Sequence, residues 1–339
     1  MGLNEKFFKS AEGGGEIGPF FNTILITAGG NQSITGVGFK PDFVWTKSRT
    51  SASHNNIYDS VRGVNKVIYS NLQNSEGAVS NYLNSFDNDG FTLGSSEPNN
   101  SSGNSVAWCF NAGGSKVTNT NGSVSSEVMA NTRDGFSIVN YTGATSGTVG
   151  HGLGVPPELI ITKRLAANSY WQCYVESLGK DKVLQLNTSG GPASISNYWG
   201  TNSPTSNVFG LSTNSIHDPV NGSNIAYCFA SVSGVSKVGT YTGKTTSVAV
   251  NTGFEPAFVM IKWVSGNIGY GSWRIYDNKR DTSSPNTKSL VANTTAAEFD
   301  HPSYGITMTS TGFTVGSNQN DSTNYNNNEY IYYAVAVTP

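Results

Sequence analysis

Charge is what this chain of 339 residues has least of. Charged residues make up 12% of it, and 20 Lys and Arg against 22 Asp and Glu leave a formal net charge of −2. That is about half the charged share of an ordinary soluble domain. No basic stripe runs along it, which removes the electrostatic footprint of a nucleic-acid binder, so no nucleic-acid partner is expected. No apolar run approaches the ~20 residues of a transmembrane helix, so no membrane insertion is expected. The start, Met1 to Lys9, lacks the apolar stretch of a secretory signal. Leu, Lys and Glu are scarce while Gly, Ser, Thr and Asn abound, which predicts few and short helices. Cysteine numbers only three. Cys109 and Cys228 sit at matching points of a repeat where the third copy has Ala334, which marks a small buried site, and Cys173 lies in another apolar strand. No disulfide framework is indicated, and a reducing compartment of assembly fits.

What is present is a repeat. Pro41-Asp42-Phe43-Val44-Trp45-Thr46-Lys47 returns as Pro157-Glu158-Leu159-Ile160-Ile161-Thr162-Lys163 and as Pro256-Ala257-Phe258-Val259-Met260-Ile261-Lys262. Each copy continues through a tyrosine (Tyr58, Tyr174, Tyr276), a hairpin around Phe91, Phe209 or Phe313, and a closing strand. The closing strands are Val106–Phe110, Ile225–Phe229 and Ile331–Val335. A period of about 100 residues is the size of a small domain, not of a solenoid coil. Strand signals separated by Gly, Asn, Ser and Pro clusters point to antiparallel sandwiches. In Val106–Phe110 the large residues share one face and Ala107 and Cys109 the other, as suits a strand packed on both sides. The expected fold is all-β: three tandem antiparallel β-sandwich modules of about 100 residues, each able to fold alone, with a short N-terminal arm. Residues 1–20 form the arm, 21–116 the first module, 117–233 the second and 234–339 the third.

The combination of Gly38–Trp45, Tyr58–Gly63, Asp89–Gly94 and Val106–Phe110 resembles a repeated module in virion proteins of marine tailed bacteriophages, especially those infecting cyanobacteria. Asn197-Tyr198-Trp199 with Ser203–Ser206, and Tyr276–Asp281, carry the same likeness, which covers about residues 20 to 339. The resemblance implies a phage particle component of the tail or fibre, assembled in the host cytoplasm among other particle proteins. It brings no catalytic residues. Copy two departs from the pattern: Glu176-Ser177-Leu178-Gly179 stands where copy one has Asp59-Ser60-Val61-Arg62-Gly63, and the arginine is lost.

Catalytic signatures are missing. His54, His151, His217 and His301 do not pair with one another or with Cys or Glu at metal-ligand spacing, and three copies share no histidine. Asp87-Asn88-Asp89-Gly90 suggests a calcium loop, but Glu97 falls one residue short of the required spacing, and a hairpin turn reads better. Glycosidase chemistry needs two facing carboxylates, and those here are sparse and lie mostly in turns. No enzyme, cofactor or metal is expected.

Sugar binding fits the composition better, because aromatic rings on loops offer flat apolar faces and Asn and Ser supply hydrogen bonds. Tyr198 and Trp199 in copy two, and Tyr304 and Tyr325 in copy three, are the candidate ligand-binding residues. Asn318 to Asn328 reads as a long exposed loop. Phe7, Phe8, Phe20 and Phe21, around a glycine run, are candidate anchors for docking onto a particle partner. The expectation is a tail-fibre or receptor-binding protein that attaches without covalent chemistry to a host-surface glycan or envelope receptor, as a homo-oligomer with a trimer the guess. The alternative is a decoration or connector protein with no host ligand, and a polysaccharide depolymerase ranks below both. Recognition should sit where the copies differ.

Overall fold

In a computed structural model, residues 19–97, 103–211, 222–266, 269–320 and 322–337 are described. Phe7, Phe8 and His217 lie outside them. The described residues hold 28 strands, and their helix is confined to two short 3-10 turns, Glu176–Leu178 and Pro302–Tyr304. The fold is all-β, as expected of a chain rich in turn formers and in β-branched and aromatic residues.

Every copy builds an inner sheet in one order. In copy one it runs Phe21–Ile26, Ser105–Phe110, Phe43–Ser48, Asn56–Asp59, Lys66–Tyr69 and Gly77–Ala78, all antiparallel. Copy three repeats this with Ser236–Thr242, Glu329–Ala336, Pro256–Ser265, Arg274–Asp277, Lys288–Val291 and Phe299–Asp300. Copy two does the same from Phe136–Thr142 onward and adds Val117–Asn119 and Ser126–Asn131 at its outer edge. A smaller outer sheet covers each inner one. It has three strands in copies one and three but only two, Gly147–Gly150 and Val208–Leu211, in copy two. The hairpin glycine is required by close approach: a Cβ on Gly90 would lie 1.8 Å from the Ile34 carbonyl oxygen, and one on Gly312 2.0 Å from that of Val250.

Side-chain alternation divides the core in two. Val44, Tyr58, Ala107 and Cys109 face the outer sheet of copy one and close a local core with Leu83, Phe91 and Leu93. Copies two and three have matching local cores. The opposite faces carry Phe43, Trp45, Trp108 and Phe110 from copy one, Leu159, Ile161, Tyr227 and Phe229 from copy two, and Phe258, Met260 and Tyr333 from copy three, all in a single cluster. Ring contacts tie the copies together: Phe43 to Tyr227 at 4.8 Å, Phe229 to Tyr333 at 4.8 Å and Phe110 to Phe258 at 6.3 Å. The inner sheets are therefore walls of a three-sided prism. This departs from the expectation of modules that could each fold alone. Roughly half of each copy's buried apolar residues belong to the shared core, and a separated copy would expose them to water.

Phe20 and Phe21 belong to this core and correct the expectation that they anchor a partner. They are 4% and 2% exposed. Phe20 meets Phe110 at 5.6 Å and Phe21 meets Phe258 at 5.4 Å. The strand Phe21–Ile26 pairs with the closing strand and carries Phe21 inward, while Phe20, just before it, accepts the Asn111 N–H on its carbonyl at 2.9 Å.

The seams between walls repeat around the ring, each copy resting on the one before it. Lys163 of copy two donates to the Gln73 carbonyl of copy one at 2.9 Å, Lys262 of copy three to Ser189 of copy two at 2.9 Å, and Lys47 of copy one to Thr294 of copy three at 3.1 Å. Trp171 and Trp273 donate their indole N–H to the Tyr69 and Gln185 carbonyls, at 2.8 and 2.9 Å. At the matching position of copy one stands Asn55, whose amide reaches the Ala292 carbonyl at 2.7 Å. No carboxylate pairs with any of the three lysines among the described residues. Burial pushes each amine down to about 7.

Candidate functional site

An open groove of about 550 Å³ lies on copy three, within the size range of small-molecule sites. It is lined by Tyr270, Phe299, His301, Ser303, Tyr304, Gln319, Asn320 and Tyr325. Tyr270 is 57% exposed and Phe299 41% exposed, the most open aromatic rings among the described residues.

Local structure explains why these rings stay out. Phe299 sits on the edge strand Phe299–Asp300, which only Lys288–Val291 pairs, and nothing covers its outer side. The turn Pro302–Tyr304 starts at His301, whose Nδ1 accepts the Ser303 N–H at 3.1 Å, a side-chain cap on the first turn. That bond fixes the tautomer of neutral His301, so its proton is on Nε2. The His301 ring lies parallel to Phe299, 5.5 Å away and 7° tilted, and Tyr304 meets Phe299 edge-on at 5.5 Å. The Tyr276 hydroxyl, from the inner sheet, donates to the Tyr304 carbonyl and holds the turn down. Arg274, also on the inner sheet, places its guanidinium carbon 3.7 Å from the centre of the Tyr304 ring and 5.5 Å from that of Phe299. Tyr270 is pinned from the side by a bridge to Gly190 of copy two and by Gly271 N–H donating to the Ser189 carbonyl at 2.9 Å.

The floor is the asparagine-rich run, and it is not the exposed loop that the sequence suggests. Asn320, Asn324 and Asn328 are 7%, 0% and 0% exposed. Asn320 donates to the Ser303 carbonyl at 2.7 Å and accepts from Thr323 N–H at 2.7 Å. Asn324 donates to the carbonyls of Thr246 and Gly316 at 3.0 and 2.5 Å, and Gln319 donates to the Lys244 carbonyl at 2.7 Å. Asparagine side chains replace backbone partners in turns, and here they build a rigid floor from them.

Residues 16–339 match a family model described as Domain of unknown function (DUF7483). The chain belongs to that family. No curated protein and no solved structure matches it.

The groove unites two of the four candidate ligand residues, Tyr304 and Tyr325. The other two are corrected. Tyr198 and Trp199 are 2% and 3% exposed and form part of the local core of copy two. Trp199 donates its indole N–H to the Lys182 carbonyl at 3.0 Å and meets Tyr174 edge-on at 5.7 Å. They occupy the place in the chain where the other copies carry a third outer strand, so two large rings fill the space that the missing strand leaves. The sequence reading missed Tyr270, Phe299, His301 and Arg274. The cluster Phe299-Asp300-His301-Pro302-Ser303-Tyr304 was a local signal for Phe299 and His301, being aromatic, unmatched in the other copies and broken by a proline. Arg274 gave no signal, because it lies within an apolar strand.

Two other polar sites resolve into structural roles. Asp89 accepts the Gly36 and Gly38 N–H groups at 3.0 and 2.7 Å, and these bonds lower its pKa. It closes a loop where a calcium ligand was weighed. His151 donates from Nε2 to the Thr205 carbonyl at 3.0 Å and accepts Leu153 N–H, and burial lowers its pKa. Among the described residues no group of three His, Cys, Asp or Glu could hold a metal ion.

Proposed function

We propose that this protein is a virion component of a tailed bacteriophage, a tail-fibre or receptor-binding protein that holds a surface glycan by non-covalent contact. The likeness of its repeat to phage particle proteins supports the setting. The groove on copy three supports the activity, and the carrying observation is that its exposed rings stand on a floor fixed by buried hydrogen bonds. Flat rings held open to water suit the apolar faces of pyranose sugars, while Nε2–H of His301 and the hydroxyls of Tyr270, Ser303 and Tyr325 can meet sugar hydroxyls. A preformed site loses little ordering entropy on binding. Several chains on one particle would raise effective concentration, so a weak site suffices for attachment.

A glycan array probed with the purified protein, followed by titration calorimetry on the best binder, tests this reading. Tyr270→Ala with Phe299→Ala should weaken binding at least tenfold, about 1.4 kcal/mol, and leave the melting temperature within a few degrees. Binding that ignores both substitutions would place the ligand elsewhere. Absence of binding to any arrayed glycan or host cell would favour a connector role in the particle.

A further inference from the structure

Arg274 is 8% exposed, yet among the described residues it forms no salt bridge. Its Nη1 donates to the Ser289 hydroxyl at 2.9 Å, and its Nε is buried without a hydrogen bond. The acids around it are committed elsewhere. Glu298 holds Arg49 and Arg280, each at 3.0 Å. Asp277 holds Arg280 at 2.6 Å, and Asp300, the neighbour of Phe299 on the edge strand, accepts from Thr287 at 2.6 Å. Among the described residues no acidic side chain lines the groove. What the guanidinium has instead is the Tyr304 and Phe299 rings, whose faces offset part of the cost of a buried cation. An anion in the groove those two rings line would relieve part of the remainder.

We infer that the groove selects an acidic saccharide, one whose ring bears a carboxylate, with Arg274 as its charge partner and His301 Nε2–H as a neutral second donor. The inference rests on the saccharide reading given above and narrows it to one chemical class. Charge at a partly buried site acts over a few ångströms with little screening, so the guanidinium need not touch the sugar ring to choose between acid and neutral forms.

Calorimetric titration of the full chain with trigalacturonate and 3′-sialyllactose, set against maltotriose and lactose, tests the choice. At least one acidic probe should bind tenfold or more tighter than both neutral ones, and its affinity should fall as sodium chloride rises. Arg274→Met should erase the preference, and Arg274→Lys should keep part of it. The salt series needs no variant, so it decides even if Arg274→Met fails to fold. Equal affinity for acidic and neutral probes, or an acidic preference untouched by salt and by Arg274→Met, would overturn the inference while leaving a saccharide groove in place. Binding of no probe, together with Tyr270→Ala silent on a full array, would remove the saccharide reading itself.

Discussion

The seam that copy one makes on copy three and the seam that copy three makes on copy two use matching strands, yet they are built differently. In the first, Asp277, Arg280 and Glu298 form a buried cluster, with Arg280 bonded to both acids at 2.6 and 3.0 Å. Trp108 of copy one donates its indole N–H to Asp277 at 2.9 Å, Arg49 grips Glu298, and Glu298 N–H donates to the Arg49 carbonyl at 2.9 Å. Copy one reproduces this with Asp59, Arg62 and Glu76, where Tyr227 of copy two donates to Asp59 at 2.7 Å. In copy two the same three positions hold Val175, Leu178 and Pro192. Proline has no N–H, so the backbone bond is lost with the charges. Tyr333 of copy three, the counterpart of Trp108 and Tyr227, has a buried hydroxyl with no well-formed hydrogen bond, Ser236 being the polar group beside it.

Chain connectivity accounts for only part of the contrast, because copies one and two are also consecutive and their seam still carries a cluster. Copies two and three are joined by a short link between Ala230 and Ser236, which keeps them together whatever their seam contributes. Copies one and three are not consecutive, and their seam must close the ring unaided. A buried ion cluster adds little over an apolar one of the same shape, but it penalises any other partner, and that suits a closing seam.

The largest effect should come from breaking the cluster halfway. Arg280→Leu leaves the buried Asp277 carboxylate without its cation, while Glu298 keeps Arg49, and should cost about 3–5 kcal/mol in urea unfolding. Adding Asp277→Val, which copies the solution of copy two, should recover most of that loss, with a residue of about 1–3 kcal/mol for the Trp108 N–H left without an acceptor. A double variant as weak as Arg280→Leu alone would mean that the charges themselves hold the seam.

A second prediction concerns what all three seams share. Lys47, Lys163 and Lys262 are held near 7 in the folded chain, against about 10.4 when unfolded. Between those values the unfolded chain binds more protons, so stability rises with pH, on the order of 1 kcal/mol per amine per pH unit at most. Below about pH 7 both states are protonated and the gain is absent. Above about pH 10 the trend reverses, because the buried Tyr58, Tyr227 and Tyr241 have raised pKa values and ionise only on unfolding. Thermal scans should place the highest melting temperature near pH 9–10, and a maximum below neutrality would contradict the burial of the three amines.

The smallest effects come from one hydroxyl in two settings. Tyr227→Phe removes a bond to a carboxylate and should cost about 1.5–3 kcal/mol. Tyr333→Phe removes a hydroxyl that has no strong partner and should be neutral or stabilising by about 1 kcal/mol. Equal losses would show that the two seams do not differ as described.

The walls of the prism were legible in the sequence because they obey local rules. The alternation in Val106–Phe110 shows a strand packed on both faces, and the exchange of Cys109 and Cys228 for Ala334 marks one small buried position. The closing of the ring was not legible. It depends on pairs such as Trp108 with Asp277 and Lys47 with Thr294, far apart in the chain and joined by no pattern that one sequence reveals. Of the four candidate ligand residues, Tyr304 and Tyr325 line the groove, and they lie on segments unique to copy three. Tyr198 and Trp199 share that uniqueness, but they fill the place of a missing strand, and a ring in a polar loop looks the same in sequence whether it faces solvent or a gap.

Differential scanning calorimetry of the full chain tests the shared core most directly. One cooperative transition, with calorimetric and van't Hoff enthalpies equal, is expected if the three walls stand only together. Two or three resolved transitions would show that the copies are separate domains and contradict the ring.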